Sequence, residues 1–172
     1  MIRDLTWPAL SVRQPWAGLL MGGWKGCENR TWNTSYRGPL IIHAGQIFEE
    51  WGLWRAYDLG VPDDALAALA KPARGYLGLV ELTDTHPAQD CLDRCGGWGE
   101  PGDGVFHWVV RAPRLFAEPV PGRGWLGLYR KDIPDAAYAA AADATGVGRV
   151  KRTAPGPLRL APAPRGAIPT SS

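Results

Sequence analysis

Apolar residues along this chain fall in short, mostly alternating runs, broken by glycine and proline, with four helix-like stretches among them. Ala9-Leu10-Ser11-Val12 predicts a first strand. Pro15 then suits the first turn of a helix over Trp16–Met21, which Gly22-Gly23 would stop. Cys27–Trp32 alternates and reads as a strand, and Pro39–His43 reads as a more buried one, with a hairpin-like turn near Arg37-Gly38 between them. Phe48, Trp51, Leu53, Trp54 and Tyr57 approximate a helical stripe, and Asp63–Ala70 predicts a second helix that Lys71-Pro72 would end. Tyr76–Thr83 and Val105–Arg111 are strand-like, separated by a glycine-rich loop. Trp125–Tyr129 is the last predicted strand, and an alanine-rich helix follows over Pro134–Thr145, closed by Gly146.

Five or six strands in irregular order, with helices inserted early and late, argue for an α+β class and a small mixed β-barrel rather than repeated βαβ units. The length of 172 residues suits one domain, placed at 1–148, followed by a basic Pro/Ala/Gly-rich segment at 149–172. That tail has too few apolar groups to offset the entropy of ordering it and is expected to be disordered. No internal repeat is visible.

Charge alters the picture by where it falls. The net charge is only +2, yet residues 1–45 carry five Lys/Arg against two acids, 46–104 carry four against eleven, 105–148 five against four, and 149–172 five against none. A slightly acidic folded part excludes broad capture of duplex DNA and favours a local pocket. Nine Trp is a large number for this length and fits stacking on flat ligands, although most tryptophans in any fold are core. Three Cys make no framework of paired bridges, so a reducing cytoplasmic setting is expected. His86, Cys91 and Cys95 have zinc-ligand chemistry, but no fourth ligand stands at a recognisable spacing, and neither metal nor cofactor is expected. No membrane-spanning or secretory segment is visible.

The densest chemistry lies in Gly23-Trp-Lys-Gly-Cys-Glu-Asn-Arg30, where a turn enters a strand. Strand alternation puts Glu28, Arg30 and Trp32 on one face, with Lys25 just before, and Cys27, Asn29 and Thr31 on the other. An ammonium, a carboxylate, a guanidinium and an indole together can bond a base edge, hold phosphate and stack a ring. The same pattern also describes a plain salt-bridge ladder. Arg13 and Trp16 could close one side of such a cleft, Trp16 equally serving as a core anchor. Glu81 interrupts an apolar strand and must be paired or face a cavity, where it could meet Lys25. His43 ends a buried strand, and His107-Trp108 is a weaker candidate of the same kind. Gly122-Arg-Gly-Trp-Leu-Gly127 matches a dinucleotide-loop pattern, but it enters a strand rather than linking strand to helix.

Ser11-Val-Arg-Gln-Pro-Trp-Ala17, then the G-x-K-x-x-E-x-R run at Gly23–Arg30, then Gly38-Pro-Leu-Ile-Ile-His-Ala44, strongly resemble the ASCH domain family of the PUA-like superfamily. Leu77–Asp84, His107-Trp-Val-Val and Gly124–Arg130 look like its later strands, so the resemblance covers about residues 7–131. It implies a PUA-like barrel with a cleft at Lys25, Glu28 and Arg30, and a role with RNA, chiefly single-stranded, or with a modified nucleoside. One branch of that superfamily hydrolyses acetylated cytidine with a lysine, a glutamate and a threonine three residues after the lysine, and Glu28 stands at that threonine's place here. Two readings follow. One is a binding module using Arg13, Trp16, Arg30, Trp32, His43, His107 and Trp108. The other is a hydrolase of RNA or N-acylated cytidine, with Lys25, Glu28 and Glu81 as catalytic groups and His43 or His107 as a partner of Lys25 in acid/base cleavage. A more distant reading is a protein-interaction domain acting through the tail. The sequence leaves the oligomeric state open.

Overall fold

The computed structural model describes residues 6–134 together with Ala137. Six strands form one mixed sheet: β1 (Trp7–Gln14), β2 (Cys27–Arg30), β3 (Gly38–Phe48), β4 (Gly75–Pro87), β5 (Phe106–Val120) and β6 (Leu128–Lys131). Three helices interrupt them, α1 (Trp16–Met21), α2 (Trp51–Asp58) and α3 (Asp63–Leu69). The strand order is β2-β5-β4-β3-β1-β6. β1 and β3 pair in parallel, and every other neighbouring pair is antiparallel.

Alternation divides the buried residues between two faces. One face presents Leu10, Val12, Leu40, Ile42, Val80, Leu82 and Trp108, against which α1 lays Trp16, Leu19, Leu20 and Met21 to make the main core. The other face buries Ala9, Ile41, Tyr76, Leu79, Phe116 and Ile133. α1 needs no amphipathic stripe, because almost all of its six residues are buried. Gly22 closes it, and its amide bonds the Gly18 carbonyl at 2.8 Å. The Gln14–Pro15 peptide bond before it is cis.

The expected barrel is not closed. β2 and β6 are the two edges, each four residues long, and no ladder joins them. Closure needs edge strands long enough, and staggered enough, to continue the hydrogen-bond register around the sheet. A side chain spans the gap instead. β6 covers β1 only as far as Leu10, and beyond that point the Arg30 guanidinium, from the end of β2, donates to the Ser11 carbonyl at 2.7 Å.

The hairpin expected at Arg37-Gly38 is also absent. β2 pairs with β5 and β3 with β4, so consecutive strands diverge there. β3 runs on through Phe48, which was expected to open a helix, and α2 begins only at Trp51. β5 extends to Val120, past Pro113 and Pro119, because bulges in its pairing with β4 absorb the irregular residues, Ala112 among them at a φ of 48°. The glycine-rich loop holds two short 3-10 turns, at Ala88–Asp90 and Gly96–Trp98. Nearly all of the predicted helix at 134–145, and the whole tail at 149–172, lie outside the described residues.

Candidate functional site

Side chains capable of chemistry gather in three places. The first is on the main-core face, where β2 brings the predicted charges together. Lys25 Nζ donates to Glu28 Oε2 at 2.6 Å and to the Cys27 carbonyl at 2.7 Å, and it lies 5.6 Å from the centre of the Trp16 ring. Glu28 Oε1 faces Arg30 Nη2 at 3.3 Å. The Lys25 side chain is 3% exposed, that of Glu28 11% and that of Arg30 21%, so the ion pair is largely out of water and only the arginine end is open. A carbonyl, a carboxylate and an aromatic face thus engage the ammonium, leaving no donor turned to solvent. Arg30 Nε is buried without a hydrogen-bond partner among the described residues. Trp108 sits opposite Glu28 across the β2–β5 pair and packs edge-on to Trp32 at 4.6 Å, its indole N–H donating to the Trp32 carbonyl.

The second place is on the opposite face. Ser11 and His43, directly paired across β1 and β3, form part of the lining of a broad cleft of about 1250 Å³. His43 Nε2 lies 3.0 Å from the Gly122 carbonyl and therefore carries the proton. Nδ1 then accepts from the Ser11 hydroxyl at 3.3 Å. Burial holds His43 below the ordinary histidine value, against the Gly122 bond that favours its charged form. Gly124 closes over the pair so tightly that a Cβ there would fall 2.3 Å from both His43 Nδ1 and Ser11 Oγ. The remaining wall includes Gln46, Ile47, Arg74, Arg123, Trp125 and Leu126, and among the described residues no carboxylate lines the cleft. Arg123 stands 5.0 Å over the Trp125 ring, which is 58% exposed.

The third place lies beyond β2, where the loop between β4 and β5 folds back. His86, Cys91, Cys95 and His107 are all buried, and one donor atom from each lies within 4.8 Å of the others. His86 and His107 are register partners of β4 and β5, their rings 5.3 Å apart. A hydrogen bond that the Cys95 thiol donates to Cys27, together with burial, pushes Cys95 up, and burial does the same to Cys91.

These geometries can be set beside known proteins. The ASCH domain family model matches residues 10–100, just over half of the chain. This chain belongs to the ASCH domain family. Human activating signal cointegrator 1 is 28% identical over 133 residues, and its mouse counterpart 27% identical over the same length. In both cases the match covers 72% of this chain and 22% of the relative, so the chain spans about a fifth of the length of these curated proteins. A solved structure of a mutant ASCH protein from Zymomonas mobilis matches 63% of this chain and 71% of its own, at 11% identity and a TM-score of 0.41.

Within the ASCH domain the predicted residues separate. Lys25, Glu28, Arg30, Trp16, Trp32 and Trp108 converge on the main-core face, with Trp16 and Trp108 acting as core. The Trp16 indole N–H donates to Glu49 at 2.6 Å, and Arg13 pairs with the same carboxylate at 2.5 Å on the surface. Glu81 lies between Val80 and Leu82, which both face the main core, so it projects to the opposite side from Lys25. There burial raises its pKa against the opposing charge of Arg114. His43 belongs to the separate cleft and His107 to the Cys/His cluster. Sequence reasoning missed Ser11, Arg74, Arg123 and Trp125 as site residues. The only local signal for the last two was the Gly122–Gly127 stretch, which resembled a nucleotide loop for the wrong reason.

Proposed function

We propose that this ASCH domain binds single-stranded RNA, or a modified nucleoside, in the cleft beside Ser11 and His43. The observation that carries this reading is a cleft with no acid among the described residues that line it, rimmed by Arg74, Arg123 and a half-exposed Trp125, on a fold whose central stretch is acidic. An indole face stacks any base, an arginine beside it holds phosphate, and the partly exposed glycine backbone at Gly45 and Gly124 offers polar groups to a base edge. Lys25, Glu28 and Arg30 then support the fold behind this surface. The RNA and nucleoside roles implied by the family's motifs are consistent with it.

Fluorescence titration with short single-stranded RNA, matched DNA and free modified nucleosides tests the reading. Trp125→Ala is expected to weaken RNA binding by about 5- to 150-fold, since stacking one base contributes about 1–3 kcal/mol. Equal affinities for wild type and a folded Arg123→Ala/Trp125→Ala double variant exclude the cleft.

A second reading is hydrolysis of RNA or of N-acylated cytidine by Lys25 and Glu28. Its support is their 2.6 Å contact in a nearly water-free setting, with Arg30 at the open end. Product formation by wild type that Glu28→Gln abolishes would carry it, and identical background rates for the two proteins would end it.

A further inference from the structure

The Cys/His cluster has no part in the nucleic-acid reading, and its details agree on one occupant. Both histidines are held in the tautomers that ligation needs. His86 Nδ1 lies 3.0 Å from Asp84 Oδ2 and donates to it, which leaves the Nε2 lone pair facing Cys95 Sγ at 3.8 Å. His107 Nε2 lies 2.8 Å from the Glu100 carbonyl and donates to it, which leaves Nδ1 as the acceptor. That Nδ1 is buried and has no hydrogen-bond partner among the described residues. An imidazole 2% exposed with an unused lone pair is costly unless something accepts it. Histidine oriented by a carboxylate or carbonyl on its far nitrogen is the usual outer arrangement of a metal site.

The backbone agrees with this. Between the two cysteines, Leu92 and Asp93 both take left-handed conformations, at φ of 47° and 61°. Non-glycine residues hold such geometry only where the surroundings impose it. Arg94 braces the turn by donating to the carbonyls of Cys91 and Asp90. Asn29 on β2 accepts from the Glu100 amide and donates to the Trp98 carbonyl, fixing the segment that orients His107. Gly99 lies so close that a Cβ there would come 2.6 Å from the His107 ring and 3.1 Å from Cys95.

We propose that His86 Nε2, Cys91 Sγ, Cys95 Sγ and His107 Nδ1 bind one zinc ion, which clamps the loop at 88–105 onto the ends of β4 and β5. Two thiolates and two neutral imidazoles form a buried donor set of the kind that selects zinc in closed tetrahedral sites. Binding releases the two thiol protons to solvent, and the site becomes neutral. With bonds of about 2.0–2.3 Å the tetrahedral edges are roughly 3.3–3.8 Å, so the present spread of up to 4.8 Å closes with small side-chain shifts. The Cys27 thiol, packed beside Cys91 and Cys95, is a neighbour rather than a ligand.

The test is metal content of the full chain, purified without a polyhistidine tag under reducing conditions, and its absorption after exchange with cobalt. Equimolar zinc is expected, with the visible bands of tetrahedral cobalt and a thiolate-to-cobalt charge-transfer band. Cys95→Ser and His107→Ala lose both, whereas Cys27→Ser keeps both. Asp84→Asn, which removes no ligand, leaves the fold intact and weakens zinc about 10–100-fold, so the proposal remains testable if a ligand variant fails to fold. A folded chain that takes up neither metal overturns the proposal. So do cobalt bands that survive in Cys95→Ser. Metal content is read without RNA, so this result and the RNA titration stand or fall separately.

Discussion

Glu28 holds Lys25 with one oxygen and Arg30 with the other, and that asymmetry sets what each substitution should do. Removing Glu28 strands a lysine that is 3% exposed, with only a carbonyl and a ring for company. Glu28→Ala is therefore expected to lower the unfolding free energy by about 3–5 kcal/mol in urea titrations, the usual result of orphaning a buried charge. Lys25→Met should cost less, because Glu28 keeps Arg30. Glu81 and His43 make the opposite statements about pH. Burial raises Glu81, so its folded state favours the proton, and its share of stability is lost as pH rises from the ordinary 4.5 through the folded value. Glu81→Gln is expected to raise the Tm at neutral pH and to flatten that acidic limb. Burial lowers His43, so its share is complete above the ordinary 6.5 and is lost as pH falls below that value towards the folded one. Between about pH 7.5 and 5, Tm should shift downward by less in His43→Gln than in wild type, the difference being the His43 share.

Elements were legible where local chemistry decides them. α1 occupies the predicted span because Pro15 and Gly22-Gly23 bracket an apolar run, and α3 matches within one residue for the same kind of reason. β5 runs past Arg111, where the predicted strand ends, and continues through Pro113 and Pro119. Only the facing register of β4 reveals that bulges accommodate them. The missing hairpin at Arg37-Gly38 has a related cause, since alternation identifies a strand without naming its partner. Arg30 belongs to this scale as well, as the link between the end of β2 and the uncovered part of β1. Arg30→Met should destabilise the fold by about 1.5–3 kcal/mol, the value of a hydrogen bond from a charged donor, with far-ultraviolet circular dichroism unchanged.

Across the whole molecule, one sheet separates three chemistries: an ionic cluster on the main-core face, an acid-free cleft on the other face, and a Cys/His cluster where the β4–β5 loop folds back. With Arg74 and Arg123 as the cleft's cations, RNA affinity should fall only gently with salt. A log–log slope of about −1.4 is expected if each arginine neutralises one phosphate, at ~0.7 per contact on a single strand. A slope several times steeper would require cations beyond the cleft.

The sequence by itself determined the family, most strands and the gathering of Lys25, Glu28 and Arg30, because strand alternation and adjacent motif positions are local properties. Only the tertiary structure decided that the sheet stays open, that His43 and Glu81 turn away from Lys25, and that His107 meets His86, Cys91 and Cys95. The physical reason is common to all three. Each depends on which strands pair and in what register, and a register joins residues far apart in sequence whose meeting no local pattern encodes. No fourth ligand stands at a recognisable zinc spacing from His86, Cys91 and Cys95 along the chain, whereas the β4–β5 ladder brings His107 directly opposite His86.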